Sequence, residues 1–217
     1  MSAYQSLILQ GQAGVLDVRC YVSAENVAAI HVLICHPHPL YGGTQDNKVI
    51  TTLARTVQQM GMVAWTFNYR GVGSSAGVYG RAQGELQDAL TVYQHIQHEQ
   101  PGMKMALCGF SFGADIAVAL NSYLQSTLGV EHCVMSVAPP LRYVPDDVIF
   151  PQQWHILQAG ADEVIDNQSA NQRIAEWVAQ AQPSPLVQQL PEASHFFHGQ
   201  LGALKQWGMD VLRTLRE

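Results

Sequence analysis

Charge is the scarcest property of this sequence. Charged residues make up 13% of its 217 positions, roughly half the share usual in a globular domain. Eleven basic residues stand against seventeen acidic ones, for a formal net charge of −6. The basic residues form no cluster, which argues against a protein that grips nucleic acid by neutralising phosphates. Long apolar runs are missing too. No stretch approaches the ~18 residues needed to cross a bilayer, so no membrane association is expected. The opening MSAYQSLILQGQAG has neither the positive flank nor the apolar run of a secretory signal. Cysteine is sparse: Cys20, Cys35, Cys108 and Cys133 lie far apart, each in an apolar, strand-like segment. Without a secretion signal they read as buried free thiols of a cytoplasmic protein rather than as two disulfides.

What remains is ample for a core. Hydrophobic residues are 47% of the chain, and 23 glutamines supply polarity that charge does not. That composition excludes a disordered chain, which needs low hydrophobicity and high charge. With no repeat, low-complexity tract or linker, residues 1–217 read as a single domain.

Short apolar runs alternate with segments of helical period. The runs cover 15–22, 29–35, 62–68, 104–110, 132–138, 154–159 and 186–190; the helix candidates are 47–60, 82–98, 112–127, 167–181 and 199–215. The interior runs are almost continuously apolar, as parallel strands covered on both faces must be. The alternation predicts an α/β fold with a mostly parallel, doubly wound sheet of about 7–8 strands. The first two runs have no helix between them and read as an antiparallel edge hairpin. In such sheets ligands bind beyond the carboxyl ends of the strands, so the loops following the runs are where function is expected.

Gly109-Phe110-Ser111-Phe112-Gly113 is a G-x-S-x-G between a predicted strand and a predicted helix, the context in which a serine is lifted above the sheet as a nucleophile. The competing reading makes Ser111 a helix cap. A serine hydroxyl needs a base, and the chain order for this arrangement is Ser, acid, His. His132 and His155 begin apolar runs and fall at the wrong end of the sheet, whereas His195 and His198 follow the last run. His195 is the expected base and His198 a surface or supporting residue. Asp162, just after the run at 154–159, is the expected acid that orients the imidazole, with Glu163 and Asp166 as local competitors. For the oxyanion, the Phe112 amide supplies one donor. In His36-Pro37-His38-Pro39 the prolines have no N–H, which leaves His38 as the natural second donor and Leu40 or Tyr41 as alternatives. Tyr41, Phe110, Phe112, Phe196 and Phe197 are candidates to line a substrate pocket. A metal reading of His36 and His38 lacks a carboxylate partner motif, and the glycines at 71 and 73 form neither G-x-G-x-x-G nor a Walker motif. No metal or cofactor is expected.

The segments HPHPLYGGTQDNK, NYRGVGSSAG, GFSFGA, ADEV and ASHFFHG occur in that order. Together they resemble a small lidless subgroup of the α/β-hydrolase superfamily, similar in compactness to dienelactone hydrolases, which use cysteine where this chain has Ser111. The resemblance runs from about residue 30 to the C-terminus. It implies a serine hydrolase with Ser111, Asp162 and His195 as its triad. Asp115, four residues past Ser111, departs from the subgroup's pattern of an uncharged residue; buried, it would perturb the site or mark a specific contact. The segment 139–153 is too short for a lid domain. The expected function is cofactor-free cleavage of small carboxylic esters or thioesters by a monomer or small homo-oligomer. The rivals are an amidase, peptidase or acyltransferase built from the same parts, or a non-catalytic binding module on the same fold.

Overall fold

The computed structural model describes residues 4–23 and 30–216. Its strands are β1 (Gln5–Gly11), β2 (Gly14–Tyr21), β3 (Ile30–Cys35), β4 (Val63–Phe67), β5 (Lys104–Phe110), β6 (Cys133–Val137), β7 (Trp154–Ala159) and β8 (Leu186–Leu190). Its α-helices are α1 (Lys48–Gln59), α2 (Gln83–Glu99), α3 (Phe112–Leu128), α4 (Asn167–Gln180) and α5 (Leu201–Thr214). The helices fall within two residues of the expected ranges. Ala29, expected at the start of β3, lies outside the described residues.

All eight strands join one sheet in the order β1-β2-β4-β3-β5-β6-β7-β8. Strands β3 to β8 run parallel, and β2 pairs antiparallel with both β1 and β4. The expected hairpin of the first two runs does not form: β2 pairs antiparallel with β1, a strand not expected from the sequence, and with β4, while β3 lies inside the sheet between β4 and β5. The reason lies in burial. All six residues of β3 are buried, so it needs a strand on each side and a layer on each face, which only a central position provides. Strand β1 leaves alternate residues exposed and can sit at the edge. Its Leu7 and Leu9 still pack on the core, and Gly11 pairs with Gly14 across a two-residue turn in which Gly14 takes φ +116°.

Helices cover both faces, as a sheet apolar on both sides requires. On one face α1 and α5 bring Ile50, Leu53, Val57, Leu204, Trp207 and Val211 against Ile34, Phe110 and Met135. On the other, α2, α3 and α4 bring Tyr93, Ile96, Ile116, Leu120, Ile174 and Trp177 against Leu33, Leu107 and Trp154. Each such side chain removed from water contributes on the order of 1.5–3 kcal/mol. Among the described residues no helix is long and apolar enough to cross a membrane. Between β6 and β7 the chain forms neither helix nor strand, so no lid domain covers the carboxyl ends of the strands.

Candidate active site

The chain leaves β5 at Phe110 and enters α3 at Phe112, so Ser111 alone must reverse direction. It does so at φ 55°, ψ −127°, a conformation that L-residues other than glycine avoid and that costs about 1–3 kcal/mol. The Ser111 amide donates to the Val137 carbonyl at 2.8 Å, which ties the turn to β6. Two glycines make room for it. A Cβ on Gly109 would lie 2.0 Å from the Gly113 carbonyl oxygen, and one on Gly113 would lie 2.1 Å from that of Cys35. The Ser111 hydroxyl makes no capping bond to α3, so the helix-cap reading fails.

The loop after β8 carries His195 back over this turn. Its ring is 2% exposed, with Nε2 3.1 Å from Ser111 Oγ and Nδ1 2.7 Å from Asp162 Oδ2. A carboxylate only accepts, so Nδ1 is the donor to Asp162, and in the neutral ring the Nε2 lone pair then faces the serine. The other oxygen of Asp162 accepts from the amides of Val164 and Ile165 at 2.9 and 2.8 Å, which fixes the carboxylate. Glu163 holds a different part of the loop: its Oε2 accepts from the His195 amide at 3.0 Å. The sequence offered Glu163 only as a competitor for the acid's place, yet its adjacency to Asp162 was the available signal. Asp166 instead caps α4, accepting from the Gln168 amide. His198 is exposed, and His132 bonds to Tyr93 at the far end of the sheet.

The loop after β3 is braced by its histidines. His36 is fully buried, with Nδ1 2.7 Å from the Pro37 carbonyl and Nε2 accepting from the Tyr69 amide at 3.1 Å. Burial drives its pKa down to about 3, so it stays neutral, with both nitrogens engaged. His38 starts a 3₁₀ turn over Pro39–Tyr41. Its Nδ1 accepts from the Leu40 amide at 3.2 Å, and Nε2 lies 3.1 Å from the Tyr79 hydroxyl. The Tyr41 amide donates to the His38 carbonyl at 3.1 Å. Leu40 and Tyr41 are thereby engaged elsewhere, while among the described residues the amides of His38 and Phe112 meet no protein acceptor. Gly43 closes the loop where a Cβ would come 2.0 Å from the Pro37 carbonyl oxygen. The neighbouring NYRG loop is fixed by Arg70, whose guanidinium and amide both bond to Asp88.

Ser111, His195, His38 and Phe112 share an open cavity of about 290 Å³, walled by Tyr41, Tyr143, Phe196, Val164 and Ile165. Phe110 and Phe197, candidates for its wall, do not line it: both are fully buried in the core layer beneath α1 and α5. The Phe110 ring instead supports His195, centroid to centroid 4.9 Å. Residues 140–143 reach the cavity from beyond β6 and were not singled out by sequence. Asp115 anchors them. Its carboxylate, fully buried, accepts from the amides of Leu141 and Tyr143, each at 3.0 Å. Among the described residues, no group of three or more His, Cys, Asp or Glu is arranged to hold a metal.

The family model described as serine aminopeptidase, S33, matches residues 31–155. An uncharacterized protein of Rickettsia prowazekii is 31% identical over 165 residues, which are 73% of this chain and 67% of that one. A lidless α/β serine hydrolase of Xanthomonas campestris is 30% identical, with a TM-score of 0.87 over 99% of this chain and 96% of that one. An α/β serine hydrolase homologue of Coxiella burnetii is 32% identical, with a TM-score of 0.83 over 97% and 98%. With the expected strand–turn–helix around Ser111 and this match over more than half its length, the chain belongs to the serine aminopeptidase S33 family of α/β serine hydrolases.

Proposed function

We propose that this hydrolase cleaves small carboxylic esters or thioesters through an acyl-enzyme formed on Ser111. One observation carries the reading: a serine held on a strained turn within 3.1 Å of an imidazole whose other nitrogen lies 2.7 Å from a carboxylate. In this mechanism His195 Nε2 takes the Ser111 proton as Oγ attacks the carbonyl. Asp162 holds the imidazole in the required tautomer and stabilises its positive form. The His38 and Phe112 amides receive the developing oxyanion, aided by the positive end of α3. The intermediate collapses as His195 returns the proton to the leaving alcohol or thiol. Water then repeats the sequence and frees the acid and Ser111.

The same groups would cut an amide, and the family's description makes an aminopeptidase the rival. That activity has to hold an α-ammonium group. Among the described residues lining the cavity, the one permanently charged side chain is Arg142, a cation that would repel it. Esters are therefore the better supported class. The cavity lies at the small end of ligand sites and suits short acyl chains.

Intact mass after treatment with a fluorophosphonate tests the activated serine. One adduct on the wild type, absent from Ser111→Ala, is expected, together with turnover of 4-nitrophenyl acetate or butyrate. A folded wild type that takes no adduct and hydrolyses no ester would sink the reading and leave the non-catalytic module in its place.

A further inference from the structure

Arg142 has no partner at ion-pair distance among the described residues, and the acid that feels its charge, Asp115, is buried beneath the loop and engaged by the loop's amides. Its guanidinium lies over the Tyr143 ring, 5.1 Å from the centroid. The side chain is exposed to solvent yet lines the cavity that holds Ser111, and among the described residues lining that cavity there is no Asp or Glu. In a chain of net charge −6, a lone guanidinium in the site runs against the surrounding field.

Its placement is built in. The residues on either side of it, Leu141 and Tyr143, both give their amides to the buried Asp115 carboxylate. Leu141 itself is fully buried and sits at φ 58°, and Val144 is buried as well. A loop pinned at both flanks presents Pro140, Arg142 and Tyr143 to the cavity, and of these Arg142 alone carries a charge. Its charge is also felt on the site: after burial, Arg142 is the second cause that holds His38 below the ordinary histidine value.

We infer that Arg142 selects esters carrying a carboxylate or similar anion near the scissile bond, the guanidinium pairing with that anion while Ser111 faces the ester carbonyl. This rests on the ester-hydrolase reading and narrows its substrate class. A cavity of about 290 Å³ lined by both Ser111 and Arg142 is of a size for compact substrates, so half-esters of short dicarboxylic acids such as glutarate are the probes of choice. A planar guanidinium can hold a carboxylate by two parallel hydrogen bonds.

The test compares each anionic ester with a neutral partner, in wild type and in Arg142→Gln. 4-Nitrophenyl hydrogen glutarate against 4-nitrophenyl methyl glutarate places the anion on the acyl side. 4-Carboxyphenyl butyrate against its methyl ester places it on the alcohol side. The quantity read is the ratio of kcat/KM values within each pair, so intrinsic reactivity cancels between enzymes. Wild type is expected to favour one anionic member, and Arg142→Gln to reduce that ratio by about tenfold or more. Arg142→Lys should keep part of it, and salt should weaken it because the group is exposed. Which pair responds identifies the side that carries the anion. A ratio unchanged by Arg142→Gln in both pairs overturns the inference while leaving the hydrolase reading intact. Binding to Ser111→Ala requires no chemistry. Calorimetry should show monomethyl glutarate bound more tightly than dimethyl glutarate, with the difference lost on adding Arg142→Gln. Equal binding of these two, together with equal binding of 4-carboxyphenyl butyrate and its methyl ester, would overturn the inference even if no ester were hydrolysed.

Discussion

Replacing Asp115 by asparagine should change how stability depends on pH. The carboxyl group is fully buried, and burial raises its pKa from 3.8 to about 7; the amides of Tyr143, Leu141 and Arg142 and the Arg142 charge oppose the rise. In the unfolded chain it titrates near its ordinary value. Between the two values the unfolded state releases its proton while the folded state keeps it. Folding is therefore favoured by this group below the unfolded value and loses that advantage as pH rises through about 7. At about 1.36 kcal/mol per pKa unit, the loss between pH 4.5 and pH 8 is about 3 kcal/mol. Asparagine does not ionise, so the variant lacks this loss. It also keeps one acceptor oxygen where the carboxylate serves Leu141 and Tyr143 with two, a defect of about 1–3 kcal/mol. Asp115→Asn should thus be the less stable protein at pH 4.5 and draw level near pH 8. Urea unfolding followed by circular dichroism at several pH values gives the difference directly, because every other titrating group cancels between the two proteins. A difference that stays constant to within about 1 kcal/mol over that range would refute the buried ionisation.

Other expectations follow from single contacts. Asp162→Asn should leave the fold intact and lower kcat/KM for 4-nitrophenyl butyrate by about 10⁴-fold, since an amide at this place favours the tautomer with its proton facing Ser111; a loss under about tenfold would remove Asp162 from the proposed relay. Gly113→Ala puts a Cβ 2.1 Å from the Cys35 carbonyl oxygen, so the urea midpoint should drop by the equivalent of about 3 kcal/mol or the protein should fail to accumulate. Glu163→Ala removes the acceptor of the His195 amide and should lower kcat by about tenfold with KM little changed, while Glu163→Gln, which retains an oxygen, should lose less. All four cysteines are buried, and burial pushes the thiols of Cys20, Cys35 and Cys133 up to about 12. Native protein should therefore resist iodoacetamide, and urea-unfolded protein should take four adducts by mass.

What could be read from the chain beforehand divides along a physical line. Where the backbone itself is constrained, the constraint is written in residue type. Glycines at 109 and 113 mark the approach of α3 to β5 and β3, and prolines at 37 and 39 leave His38 as the available amide. The buried strands announce themselves because both faces must be apolar. Strand β1 does not, since half of its side chains face solvent and its pattern is correspondingly thin. Contacts between distant segments leave no local mark either. Glu163 and His195 are 32 residues apart, and Asp115 and Leu141 are 26 apart. An exposed arginine such as Arg142 reads like any surface arginine until the sheet brings its loop beside Ser111.

The two phenylalanines flanking Ser111 show the division at its sharpest. Phe110 and Phe112 occupy equivalent places in the motif, and both read as candidates for the pocket wall. Phe110 is the last residue of β5, where alternation along the strand turns it under α1 and α5. Phe112 is the first residue of α3, and the reversal at Ser111 turns it into the opposite core layer, beside the cavity. A residue type can require that the backbone turn at Ser111. Only the direction of that turn relative to the sheet decides which neighbour supports the imidazole from below and which lines the cavity.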